Sequence, residues 1–358
     1  MKKCNKLLVL SLVLVCMIVG LTGCKGKDKG DASNKVGAAV ANVNLNTDLK
    51  AAKNINLLTG EATLTPEAIG KRPVAVMVNN IKAAFPQYGI DAADIIFEIP
   101  VEGGATRFMA MYGDYTQVPA ICSVRSCRGY FPAISEGFDA IYVNWGMMDE
   151  VREYTNSLGL TQFDGKYNEG NLFGRDEERR AAGYSLEHTG FFDGTRVDDV
   201  LLEKGERTDI EESKIDPAFN FAPITETITP AGEACTKVNV DFGIALATLT
   251  YNAENGKYWK DYNGEPQVDG KTGNQLSFTN VLVLEADIKG AANGIHRDVN
   301  WHGGEGYYVS NGTVQKIKWS KESEQDRLML YDENGNELVM NRGKIYIGIN
   351  YVGQATFE

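Results

Sequence analysis

The sequence predicts an α+β fold: a mixed-sheet α/β domain over residues 66–212, then a predominantly antiparallel β domain over residues 237–358. Three observations lead there. Short apolar runs alternate with helical stretches up to about residue 212, the pattern of a mixed sheet with helices against it. Asn-Gly pairs punctuate the second half, where hairpins are expected. Between the two, residues 213–236 contain Pro217, Pro223 and Pro230 with little regular pattern and read as a connector.

In the first half, apolar runs predict strands at 73–78, 94–101, 106–112, 120–124 and 138–144. Helices are predicted at 130–136, 149–157, 175–182 and 196–203. In the second half, strands are predicted at 238–242, 246–251, 281–286, 306–309, 315–319, 328–331, 337–340 and 344–349. Asn255-Gly256, Asn263-Gly264, Asn311-Gly312 and Asn334-Gly335 are two-residue turn signals, because both central positions take positive φ.

The chain has 358 residues, 43% hydrophobic and 23% charged, a globular composition that excludes a disordered or multi-span membrane protein. With 36 Lys and Arg against 48 Asp and Glu the formal charge is −12, so nucleic acid is not an expected partner. Residues 1–23 read as a lipoprotein signal peptide. Lys2, Lys3 and Lys6 precede an apolar run, 7–21, that falls short of the roughly 20 residues a permanent span needs, and Leu21-Thr22-Gly23-Cys24 follows. Cys24 then becomes the first mature residue and carries a two-chain lipid anchor at the extracytoplasmic face of the membrane. Loss of three lysines leaves the mature chain at −15. Residues 24–65, poor in large apolar side chains, are expected to form a flexible tether that holds the folded part about 35 Å from the membrane.

Cys122, Cys127 and Cys235 remain, an odd number that leaves at least one thiol free; Cys122 and Cys127 either bridge a short loop or stay reduced. The chain has three histidines, His188, His296 and His302, none near a cysteine in sequence, so a Cys/His nucleophile arises only through the fold.

The densest polar segment is 94–108. In a strand, Ile95, Phe97, Ile99 and Val101 share one face and Glu98 and Glu102 the other, about 13 Å apart, too far for a glycosidase pair acting alone. A two-residue turn at Gly103-Gly104 puts Arg107 on the acidic face and a three-residue turn puts it opposite. The plain alternative is a solvated strand face with a structural ion pair. Glu98 and Glu102 are the candidate acid/base residues. Arg125 and Arg128, near neighbours beside Ser123 and Ser126 ahead of a helix, suit a carboxylate or phosphate, unless they pair with Glu98, Glu102 or Asp94. His296, Asp298 and His302 cluster with no zinc-motif spacing, so no metal is assigned. There is no Gly-rich phosphate loop, serine-nucleophile elbow or His-Glu-x-x-His helix, and no cofactor is expected.

Several of these segments resemble the YerB-like lipoproteins. They include Arg-Pro-Val-Ala-Val-Met-Val-Asn-Asn at 72–80, Phe-Pro-Gln-Tyr-Gly-Ile at 85–90, Val-Glu-Gly-Gly-Ala-Thr-Arg-Phe at 101–108 and Ser-Val-Arg-Ser-Cys-Arg at 123–128. Phe-Asp-Ala-Ile-Tyr-Val, Tyr-Ser-Leu-Glu-His-Thr, Gly-Ile-His-Arg-Asp-Val from Gly294 and Gly-Lys-Ile-Tyr-Ile from Gly343 extend the match through the second half. The resemblance implies a lipid-anchored surface protein of Gram-positive-type bacteria with two paired domains of uncharacterised function, and it supplies no reaction. Its motif residues fall here on Asn80, Gln87, Glu98, Glu102, Arg107, Arg125, Arg128 and His188. Asn79 stands where the family usually has Asp, and Asn144-Trp145 where a His tends to follow the strand.

The preferred expectation is a binding or assembly module of the cell envelope that holds an anionic group, a wall component or an acidic partner through its arginines. One alternative is an envelope glycan or peptide hydrolase using Glu98 or Glu102; the other is a structural scaffold with no small ligand. The scarcity of histidine and the missing catalytic motifs favour a non-enzyme.

Overall fold

The structure, a computed structural model, describes residues 53–358. The signal peptide, Cys24 and most of the tether lie outside the described residues. The architecture is α+β, with a mixed sheet in the N-terminal half and mostly antiparallel strands in the C-terminal half.

One eleven-stranded sheet runs through both halves. From one edge its order is Glu233–Ala234, Thr313–Ser320, Gly303–Ser310, Asn280–Ala286, Ile345–Tyr351, Ile95–Pro100, Thr106–Tyr112, Val74–Asn80, Ile141–Asn144 and Gln162–Asp164. Met329–Tyr331 pairs with Thr313–Ser320 off this path. The halves meet where Ile95–Pro100 lies parallel to Ile345–Tyr351, in register from Ile95 opposite Ile345 to Glu98 opposite Gly348.

Both faces of the central strands are covered, and all seven residues of Val74–Asn80 and of Thr106–Tyr112 are buried. That is why these segments read as continuous apolar runs. Val76, Ile96, Phe108 and Val143 point into one core, shared with Val238, Leu249 and Tyr258 of a second, six-stranded antiparallel sheet. Met77, Phe97, Met109 and Tyr142 point into the other, against Phe131 and Ile134 of the helix Tyr130–Glu136.

Several boundaries differ from expectation. The folded body begins before residue 66: Ile55, Leu58 and Leu64 are buried, because each presents a large apolar side chain to the sheet. Residues 213–236 are not a free connector either, since Phe219 and Phe221 are buried and Asn220–Phe221 pairs with Val339–Met340. A strand missing from the sequence reading, Lys257–Tyr262, sits between the turns Asn255-Gly256 and Asn263-Gly264. At Asn263-Gly264 and Asn311-Gly312 both residues have positive φ, as the two-residue turn requires.

Candidate functional site

The residues singled out in the sequence separate into two sites. The first is wholly internal. Glu98 is completely buried, because its strand face packs against the six-stranded sheet instead of facing water. Its Oε1 accepts from Asn80 Nδ2 and from the Thr106 hydroxyl, each at 2.7 Å, and its Oε2 accepts from the Tyr346 hydroxyl at 2.8 Å. The equally buried Lys260 ammonium lies 3.2 Å from Oε2 and donates to Gln267 Oε1 at 2.7 Å. Gln267 Nε2 donates to Asn80 Oδ1 at 2.8 Å, and Gln87 Nε2 donates to the same oxygen at 3.1 Å. Burial pulls the Lys260 ammonium below its ordinary value, and the Glu98 charge opposes that pull.

Each of these groups finds its partner inside the protein, across the two halves of the chain. Asn80, Gln87 and Glu98 are therefore internal ties, and the expectation of a solvated acidic strand face fails because both sheet faces are covered. Sequence reasoning missed Lys260, Gln267 and Tyr346. A signal for Lys260 existed: Tyr258, Lys260 and Tyr262 alternate along one strand on its buried side, where a lysine needs a counter-charge.

The second site is built on the turn after Ile95–Pro100 and the loop before Tyr130–Glu136. Val101 pairs with Ala105 around the three residues Glu102, Gly103 and Gly104, with both glycines at positive φ. Arg107 is thereby opposite Ile99, on the face away from Glu98. Glu102 in the turn still reaches it, with Arg107 Nη2 at 4.0 Å. Arg128 grips Glu102 with two nitrogens, Nε at 2.8 Å from Oε2 and Nη2 on Oε1. Arg107 is only 4% exposed and donates Nη1 to the Ser126 carbonyl at 2.7 Å, while its buried Nε has no partner. Arg125 pairs with the half-exposed Glu187 at 2.6 Å, and its Nε is likewise buried without a partner.

Burial first, then the charges of Arg128 and Arg125, bring Arg107 down to about 10 against the pull of Glu102. Burial pushes the Glu102 carboxyl up, but the Arg128 hydrogen bonds and charge outweigh it and hold Glu102 at about 2. Arg128 and Arg107 thus converge on one engaged carboxylate, Glu102, while Arg125 is held by Glu187.

The comparisons with known proteins follow this geometry. Residues 58–207 match the N-terminal domain, and residues 238–347 the C-terminal domain, of the family described as "Protein of unknown function (DUF3048)". The "Putative lipoprotein YerB" of Bacillus subtilis (strain 168) is 29% identical over 257 residues, 70% of this chain and 73% of the relative. The crystal structure of the YerB protein from Bacillus subtilis aligns with a TM-score of 0.72 at 27% identity, covering 84% of this chain and 98% of that one. The chain belongs to the YerB-like two-domain family.

In this YerB-like protein two of the histidines border the arginine cluster: the charges of Arg128, Glu102 and Arg107 act on His296, and that of Arg125 acts on His188. His188 is 4% exposed, with Nδ1 3.0 Å from the Asn79 amide; its position beside Asn79 means that an amide, and not the carboxylate the family resemblance implies there, contacts the ring. Burial lowers its pKa, Glu187 opposes this, and Arg125 and Arg179 lower it further. Cys122 Sγ contacts the His188 backbone carbonyl at 3.7 Å, so no thiol–imidazole pair forms there. His296 Nδ1 meets the Asn293 amide at 3.0 Å and His302 Nδ1 the Lys321 carbonyl at 3.3 Å. Among the described residues no three His, Cys, Asp or Glu side chains gather as a metal site.

Cys122, Cys127 and Cys235 are free and buried, so the alternative of a Cys122–Cys127 bridge is not realised. Burial pushes the Cys122 and Cys127 thiols up to about 12. A chain starting at Lys25 is therefore expected to show no rapid reaction with an aromatic disulfide reagent at about pH 8 and to release three equivalents of chromophore once unfolded in guanidinium. Fast labelling of a thiol in native buffer would contradict this burial.

Proposed function

We propose that this protein is a lipid-anchored, extracytoplasmic binding module of the cell envelope, held to the membrane through Cys24, that takes an anionic group of a wall component or envelope protein on Arg107, Arg125 and Arg128. One observation carries the reading: the buried Arg107 and the partly exposed Arg125 each have an Nε–H buried without a partner, and among the described residues the carboxylate within reach of Arg107, Glu102, is already held by Arg128. Buried guanidinium N–H groups without acceptors are costly, and a carboxylate or phosphate satisfies them with paired, charge-assisted bonds. Glu187 is half-exposed, and its other oxygen lies 3.7 Å from His188 Nε2, so it can turn from Arg125 and yield it to a ligand. The name of the Bacillus subtilis relative supports the anchor.

The hydrolase alternative has weaker support. Glu98 is sealed from substrate, and Glu102 at about 2 is ionised at neutral pH and cannot serve as a general acid. The scaffold alternative draws support from the closed Glu98–Lys260 network, which needs no ligand.

The test is to incubate the chain from Lys25 with purified wall sacculi, pellet them, and analyse pellet and supernatant by mass spectrometry. The reading expects retention in the pellet that added salt releases and that Arg125→Ala with Arg128→Ala reduces by about tenfold or more, with no new soluble fragments. Equal retention of the double variant would sink it. New soluble fragments would move Glu102 to the front as an acid/base residue.

A further inference from the structure

A second concavity lies away from the arginine cluster, with a volume of about 240 Å³. Its walls are apolar and include Leu58, Leu64, Phe138 and Ala218. Ile69 and Ile215 also line it and are 41% and 53% exposed, so its lips present large apolar side chains to water. Such exposure is unfavourable without something to cover it.

The lining is also cationic. Lys53, Lys71, Lys214 and Arg327 all contribute, and Asp216 is the one carboxylate among the lining residues, in a chain whose formal charge is −12. Lys71 pairs with Asp209 at 2.6 Å, and Lys214 donates to the Glu136 carbonyl at 2.6 Å with Glu211 at 4.0 Å. Arg327 donates only to the Pro217 and Asp216 backbone carbonyls, at 2.7 and 2.9 Å. Among the described residues no carboxylate is hydrogen-bonded to its guanidinium, although the charges of Asp216 and Glu337 act on it.

We infer that this pocket binds a single-chain amphiphile with an acidic head, of the fatty-acid class: the hydrocarbon chain lies between Leu58, Leu64 and Phe138, and the head meets Arg327 and Lys53. The apolar wall supplies chain burial, worth about 0.8 kcal/mol per methylene, and the cations select the sign of the head. An apolar partner helix or a second copy of the chain would account for the lips but not for the excess of cations.

All of the packed core described above lies within residues 53–358, so the chain from Lys25 retains it. The probe is 11-(dansylamino)undecanoic acid, whose fluorescence rises in an apolar site, displaced by laurate, by dodecanol or by dodecyltrimethylammonium. The expected result is one site, with laurate displacing the probe about tenfold or more better than either of the other two. Ala218→Trp, which fills the cavity, and the surface change Ile215→Asp, which leaves the fold untouched, should each weaken probe binding by about tenfold or more. Arg327→Met should remove the preference for laurate over dodecanol. Absence of probe uptake overturns the inference, as does uptake unaffected by Ile215→Asp. So does a concentration-dependent dimer that Ile215→Asp dissolves, because the lips would then meet a second copy. Because the chain used has no anchor, failure here is separable from failure of Cys24 lipidation, which membrane fractionation of Cys24→Ser reads.

Discussion

Lys260→Met is expected to lower the stability of the folded chain by about 3–5 kcal/mol, the range seen when one partner of a buried ion pair is deleted. Methionine matches the length of the lysine stem and keeps its packing between the Phe108 and Tyr346 rings, whose centroids lie 5.4 and 5.7 Å from the ammonium. What is lost is the counter-charge. Glu98 stays fully buried with only Asn80, Thr106 and Tyr346 to donate to it, and Gln267 Oε1 loses its donor. Glu98→Gln alone should be comparably harmful, because it leaves the ammonium unpaired. The double variant should recover much of either loss, since no net charge then remains inside. Urea unfolding of the four proteins gives the coupling energy directly. Single variants that each cost less than about 1 kcal/mol would mean that water reaches this pair.

Asp139→Asn is expected to have the next largest effect, about 3 kcal/mol or more. Asp139 accepts from both ends of Arg207, each at 2.6 Å, from the Glu211 backbone N–H at 2.8 Å, and lies 3.2 Å from Arg72 Nε. Arg72 is 2% exposed and, among the described residues, has no other carboxylate in contact, so the substitution strands a buried cation. Asparagine is the informative replacement because Asp139 has φ of 53°, a region that asparagine also tolerates. The effect depends on pH with a definite sign. Burial pushes the Asp139 carboxyl up, but the Arg207 bonds and the Arg72 charge outweigh it, so its folded value lies below the ordinary one. Its contribution is complete above the unfolded value near 3.9 and drains away as the pH falls through the lower folded value. The gap between wild type and Asp139→Asn, full at about pH 6, should narrow below about pH 4. A gap that stays constant into acid would show that the carboxylate charge does not matter.

Much of the scaffold was readable locally. Thr106–Tyr112, Tyr130–Glu136 and Asp149–Ser157 fall where apolar runs and helical spacing put them, because those signals lie within one element. Gln162–Asp164 and Phe173–Arg175 escaped notice because three residues are too few to show a period. At the site, the proximity of Glu102 to Arg128 was among the pairings the sequence allowed, and the three-residue turn placing Arg107 on the face away from Glu98 was one of two open choices. The burial of Glu98 was not legible. It depends on a strand face being covered by Lys257–Tyr262 and flanked by Ile345–Tyr351, segments far along the chain that leave no mark around residue 98.

That flanking strand has a consequence for how the protein is made. Ile95 meets Ile345, 250 positions later, so the N-terminal half cannot close its own sheet while the chain is still being synthesised. Until residues 345–351 are delivered, Ile95–Pro100 offers an open hydrogen-bonding edge, apolar except for Glu98, the kind of edge that captures other chains. Assembly therefore waits for the synthesis of residues 345–351. A message truncated only slightly before codon 345 would yield not a shortened protein but an aggregation-prone one, with this strand edge left open.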